Sequence, residues 1–333
     1  MLTGMNTRVM RLLLFIFVLS LASSAWARSA SCTSATRCRD SLSLSTGGSI
    51  PYYRSLPLVR NDLVHRAVLV IHGNQRNAGR YYDRTVASAI AAQRFRDVLV
   101  LAPNFRTLED RPAPGEHYWS SQGWKTGDKS RDAGRISSFS VVDQLLARVC
   151  PKQPGVFPNL DTVVIIGHSA GGQFVSRYAA GGAGCPNTAV EVRYVVMNPS
   201  SYLYVDGRRK SAVTRRFHRG APSCDDYDEY KYGLKDLNSY MKHVGLEQLR
   251  TRLFKRRTYY LAGTNDVGTG GSLDTSCEAH LQGQNRLVRF ENYREYKSLF
   301  GEWTGATFIL VPGVGHDGGK MLASDSARQI MFR

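Results

Sequence analysis

The chain has 333 residues, enough for one large domain or two small ones, and its 42% hydrophobic and 10% aromatic content excludes a disordered polymer. A formal net charge of +17 favours polyanions, anionic surfaces or acidic substrates, or else is the surface of a soluble basic protein. Six cysteines and eight histidines show no C-x-x-C or H-E-x-x-H spacing, so no metal site is nominated and no cofactor is expected.

The first residues read as an export signal. Arg8 and Arg11 precede an apolar run at 12–21, and Ala25-Trp26-Ala27 supplies a small-x-small cleavage pattern. Residues 1–27 are therefore set apart from a single domain over 28–333. A run of about ten apolar residues is too short for roughly 30 Å of hydrocarbon, and no later run is long enough either, so no membrane span is expected once the signal is removed. The predicted destination is the periplasm or the extracellular space, where an even number of cysteines favours disulfides.

Downstream, short apolar runs alternate with helical or glycine-rich stretches, which predicts an α/β protein with a mainly parallel central sheet flanked by helices. The predicted strands are 67–71, 98–101, 162–166, 192–197, 257–261 and 307–311. Their near-continuous Val, Ile and Leu content suits strands buried on both faces. Predicted helices are 81–93, 137–149, 171–180 and 246–254. Residues 200–256 break this rhythm. They are polar, rich in tyrosine and basic, with Arg208, Arg209, Lys210, Arg215, Arg216 and Arg219 close together. The segment is too long for a simple connection and reads as a lid-like insertion over the strand ends.

Strand topology also suggests how the cysteines pair. Cys150 and Cys185 each precede a strand and would lie together at the bottom of the sheet. Cys224 in the insertion and Cys277 further on both belong to the top, which leaves Cys32 and Cys38 as a local loop. This is one of the many pairings that six cysteines allow.

The stretch Gly167-His168-Ser169-Ala170-Gly171 follows a buried strand and opens a helix. A turn that sharp needs small residues around the serine, which gives Gly167 and Gly171 a steric role and lifts the hydroxyl above the sheet. A serine hydroxyl is a weak nucleophile, so a histidine must take its proton and a carboxylate must orient that histidine. Asp266 and His316 each closely follow a predicted strand, so parallel strands would deliver Ser169, Asp266 and His316 to one sheet edge. Asp274 is the alternative acid. His168 reads as packing within the turn, and Asp317 as a loop or helix cap.

Acyl transfer also needs donors for a developing oxyanion. The backbone N–H of Ala170 is one. The second is expected from the loop after the first predicted strand, His72-Gly73-Asn74, through the Asn74 N–H, with Gly73 allowing close approach. Trp119, Trp124 and Tyr202 would line a substrate pocket or form lid core, and Arg208 and Arg209 would lie near the same mouth.

HGN, GHSAGG, AGTND and GVGHD in this order resemble the α/β-hydrolase superfamily from about residue 58 to the C-terminus. Within it the chain is similar to secreted esterases and polyester depolymerases, which implies a serine-hydrolase mechanism through an acyl-enzyme. The insertion matches no pattern that names a substrate. The first expectation is thus an exported carboxylic ester hydrolase. The alternative is a depolymerase or amidase acting on an acidic polymer, motivated by the net charge. A binding protein on a dead hydrolase scaffold conflicts with the complete Ser, Asp and His set, and export argues against nucleic acid as a partner.

Overall fold

The computed structural model describes residues 31–153, 155–221 and 224–333; the export signal expected at 1–27 lies outside them. Eight strands build the main sheet: β1 (Arg39–Ser43), β2 (Ser49–Arg54), β3 (Arg66–Ile71), β4 (Val98–Pro103), β5 (Thr162–His168), β6 (Glu191–Met197), β7 (Thr258–Gly263) and β8 (Ala306–Val311). Their order is β1-β2-β4-β3-β5-β6-β7-β8. β1 and β2 pair antiparallel at one edge, and every pairing from β4 to β8 is parallel.

The six helices of eight residues or more among the described residues are α1 (Ala78–Ala91), α2 (Ser138–Val149), α3 (Ala170–Gly181), α4 (Leu246–Lys255), α5 (Arg286–Lys297) and α6 (Asp325–Phe332). None of the described helices is long and apolar enough to cross a membrane.

Alternation along each central strand explains the continuous apolar runs. Ala67, Leu69 and Ile71 of β3 join the core on one face, with Phe139, Val142 and Phe174 from α2 and α3. Val68 and Val70 join the core on the other, with Tyr82 and Val86 of α1 and Met331 of α6. Because successive side chains point to opposite faces, a strand covered on both sides must be apolar at every position.

All six predicted strands are present, with small shifts at their ends. β1 and β2 escaped the reading because neither carries an unbroken aliphatic run: the edge strand β1 buries only Leu42 among polar neighbours, and the buried stretch of β2 is Ile50, Pro51 and Tyr52 between Ser49 and Arg54. α5 escaped for another reason: its buried face carries Arg286, Arg289 and Asn292 beside Phe290 and Tyr293, so polarity hides its period.

The parallel register delivers the functional loops to one edge. Ile71 pairs with Gly167, His168 with Met197, and Gly263 with Val311, so the chain leaves β3, β5, β6, β7 and β8 on the same side. Three disulfides join Cys32 to Cys38, Cys150 to Cys185 and Cys224 to Cys277.

The segment 200–256 is more firmly anchored than a lid-like insertion suggests. Tyr202, Leu203, Tyr204 and Val205 are buried, and the Tyr204 ring packs edge-on to Tyr293 and tilted against Tyr296 of α5. A short hairpin pairs Arg208–Lys210 with Phe217–Arg219. Cys224 ties this region to Cys277 at the start of the helix Cys277–His280.

Candidate active site

Ser169 sits between β5 and α3 at φ 58° and ψ −117°, a left-handed conformation that costs a non-glycine residue and persists only when its surroundings fix it. One hydrogen bond and the close packing of the flanking glycines do so. The Ser169 N–H donates to the Met197 carbonyl at 2.9 Å, at the end of β6. A Cβ on Gly167 would stand 2.3 Å from the Gly171 carbonyl oxygen, and one on Gly171 would stand 2.2 Å from that of Ile71. Neither obstacle is a side chain that could swing away, so a Cβ at either position would meet fixed backbone.

The loops after β7 and β8 meet the serine. His316 Nε2 lies 3.0 Å from Ser169 Oγ, and His316 Nδ1 lies 2.8 Å from Asp266 Oδ2. With Nδ1–H donating to the carboxylate, Nε2 is left unprotonated to accept from the hydroxyl, which is the tautomer a proton relay requires. Asp266 is buried, and Arg286 of α5 stands 3.7 Å from its other oxygen.

Two positions that sequence reasoning missed hold this geometry. Arg286 is one. Asn198, at φ 45° just beyond β6, is the other: its Oδ1 accepts from the Gly263 N–H at 2.9 Å and its Nδ2 donates to the Gly315 carbonyl at 3.2 Å. Asn198 thereby joins the loop of Asp266 to the loop of His316. The only sequence signal is its place at a strand end, before Pro199.

The loop after β3 is locked from behind. Burial holds the His72 imidazole down at about 4, so it stays neutral. Its Nδ1–H donates to the Gly73 carbonyl at 2.9 Å, its Nε2 accepts from the Phe105 N–H at 3.0 Å, and Trp124 packs on its ring at 4.6 Å. At Gly73 any Cβ would meet the Tyr81 hydroxyl at 2.7 Å. Among the described residues the N–H groups of Asn74 and Ala170 donate to no protein acceptor, and both residues line a cavity with Ser169.

Other candidates take different places. Asp274 does not bond His316. It accepts from Lys231 at 3.1 Å and from the Tyr232 hydroxyl at 2.8 Å; burial pushes its carboxyl up, but these partners outweigh that and hold it at about 2. His168 is buried against His316, ring to ring at 4.6 Å, with Nδ1 3.1 Å from the Tyr81 hydroxyl. Burial first and the neighbouring His316 second drive its pKa well below the usual range, so it is a neutral packing group. Asp317 caps the helix Gly318–Ala323, accepting from the N–H groups of Gly319 and Lys320.

The expected substrate-binding group is corrected by burial. Trp119, Trp124 and Tyr202 are each no more than 1% exposed and line neither cavity beside the serine. Arg209 is equally buried, bonded to the carbonyls of Asp206, Arg208, Tyr227 and Tyr232, with Tyr204 under its guanidinium at 4.1 Å. Arg208 is paired with Asp206 at 2.8 Å. These arginines brace the insertion; they do not face the mouth.

Two cavities meet at Ser169 and Asn74. The larger, about 540 Å³, is lined by Arg80, Tyr81, Arg84, His168 and His316. The smaller, about 320 Å³, is lined by Ala170, Gln173, Lys125, Ser200 and Asp274.

A model of the alpha/beta hydrolase family matches residues 68–329. Among solved structures, the chain is similar to poly(aspartic acid) hydrolase-1 from Sphingomonas sp. KT-1, with 21% identity, a TM-score of 0.61, and coverage of 89% of this chain and 98% of that one. It is also similar to LpqC, a poly(3-hydroxybutyrate) depolymerase from Bordetella parapertussis, with 25% identity, a TM-score of 0.57, and coverage of 85% and 86%. A search of curated proteins gives no match.

Proposed function

The chain belongs to the alpha/beta hydrolase family, and we propose that it is an exported serine hydrolase that cleaves carboxylic esters through an acyl-enzyme. Ser169 Oγ attacks the ester carbonyl as His316 Nε2 takes its proton, and Asp266 holds the imidazole and stabilises the cation that forms. The N–H groups of Asn74 and Ala170 receive the oxyanion, a contribution of about 3 kcal/mol per donor. His316 then returns the proton to the departing alcohol, and water repeats the cycle on the acyl-enzyme.

The observation that carries this reading is the continuous relay of 3.0 Å and 2.8 Å from Ser169 through His316 to Asp266. Three disulfides are compatible with export. The test is a fluorophosphonate probe together with a panel of neutral esters. Ser169 should be labelled and the esters hydrolysed, and Ser169→Ala should do neither. Hydrolysis retained in that variant would remove the mechanism.

A second reading, a depolymerase or amidase on an acidic polymer, is favoured by the net charge of +17 and by Arg80, Arg84 and Lys125 in the walls of the two cavities. A cationic field draws polyanions in and is weakened by salt. Turnover of an acidic polymer falling as salt rises, with short neutral esters unaffected, supports this reading. Equal turnover of both at all salt concentrations counts against it.

A further inference from the structure

The smaller cavity beside Ser169 holds a cation that acyl transfer does not use. Lys125 lies on the short helix Gly123–Thr126 and is only 7% exposed, yet lines the cavity with Ser169 and Ala170. Among the described residues no carboxylate stands within salt-bridge distance of its ammonium. Its one hydrogen-bonding side chain is Gln122, at 3.4 Å. Burying an ammonium is costly unless a counter-charge meets it.

The surrounding charges do not meet that need. Lys231, Arg177 and Arg76 act on Lys125 with like sign, and Asp274 opposes them without reaching salt-bridge distance. Asp274 is taken up by Lys231 at 3.1 Å, and Arg177 is spent on the carbonyls of Gln173 and Lys231. Beside Lys125 in the cavity wall, the side-chain carbonyl of Gln173 accepts from Ser201, while its amide nitrogen donates to no described protein group. A buried ammonium and a free amide thus face the space next to the nucleophile.

The side of the substrate that enters this space follows from the proton path. His316 must protonate the leaving group, and it lines the larger cavity but not the smaller. Ala170, one oxyanion donor, lines the smaller cavity alone. The leaving group therefore belongs to the larger cavity and the acyl chain to the smaller.

Resting on the serine-hydrolase reading above, we propose that the smaller cavity is an acyl subsite for chains that carry a carboxylate, with Lys125 as its specificity-determining residue and Gln173 as a second donor. Burial first, and then the charge of Lys231, holds the Lys125 ammonium down at about 8. Lys125 is thus charged at neutral pH and loses its proton just above it.

Matched 4-nitrophenyl esters test this: the succinate, glutarate and adipate monoesters against butyrate, valerate and hexanoate. At pH 7 at least one carboxylate ester should exceed its neutral partner in kcat/KM. Lys125→Met should lower kcat/KM for that ester about 30-fold, the range of a charge-assisted hydrogen bond, and leave the neutral partner within about threefold. In the unaltered enzyme the preference should fade as pH rises through about 8.

Fluorophosphonate labelling of Ser169 at an unchanged rate in Lys125→Met shows that the variant is folded; if it is not, Lys125→Gln gives the same comparison. An enzyme that is labelled and active on neutral esters but indifferent to carboxylate at every chain length overturns the subsite alone. So does an equal loss on both esters in a labelled variant. No labelling and no turnover in the unaltered chain overturns the serine-hydrolase reading itself.

Discussion

The strand ends and the insertion that follows β6 spend their polar groups in opposite directions. At the strand ends Ser169, His316 and the Asn74 N–H are aimed outward into open cavities. In the insertion Arg208 and Arg209 are turned onto carboxylates, carbonyls and aromatic rings of the same region. A cluster of basic residues acts on a distant partner only through charges left without a local counter-charge. By that measure the insertion is mainly scaffold, and among the cations lining the two cavities Lys125 and Arg80 carry no salt bridge to a described residue while Arg84 stands 3.9 Å from Asp317.

The comparison breaks if substitutions on the two sides have similar consequences. The largest effect is expected at Ser169→Ala, a drop of about 10⁶ in kcat with an unchanged melting temperature, read by ester turnover and thermal unfolding. Asp266→Asn should cost about 10⁴ in kcat by leaving His316 in the wrong tautomer. In the insertion the pattern reverses. Arg209→Ala should lower stability by about 3 kcal/mol in denaturant titration, since it strips a buried cation from four carbonyls, while kcat per folded molecule stays within about twofold.

A pH prediction sharpens the strand-end side. His72 is held at about 4, below its ordinary 6.5, so between these values the unfolded chain binds the extra proton. Its contribution is complete above pH 6.5 and is lost as pH falls toward 4, a change of about 3 kcal/mol. His168, shifted in the same direction, adds to it. Stability measured from pH 7 to pH 4 should therefore fall, and His72→Gln should flatten part of that slope. The smallest effect belongs to the exposed Arg216, where replacement by Ala should stay within about 0.5 kcal/mol.

The central sheet was legible because burial on both faces forces unbroken apolar runs, and the meeting of Ser169, Asp266 and His316 at one sheet edge because each follows such a run within a few residues. Asn198 and Arg286 were not. Their roles depend on which strands become neighbours and on which helix packs behind a loop, and neither fact leaves a periodic mark in the chain. The misplacement of Trp119 and Trp124 has a related cause. Composition marks them as binding-competent, but only the packing of Phe105 and Phe174 beneath the β3 loop turns them into support for it.

The disulfides also settle how this molecule would carry mechanical force. Cys150–Cys185 is a covalent shortcut around β5, Ser169 and α3, and Cys224–Cys277 is another around β7 and Asp266. When the chain is pulled from its ends, tension passes through these bridges and bypasses both Ser169 and Asp266. His316 lies outside every bridge, so the loop after β8 bears the load, and stretching would take His316 away from Ser169 and Asp266, which are still held in their loops.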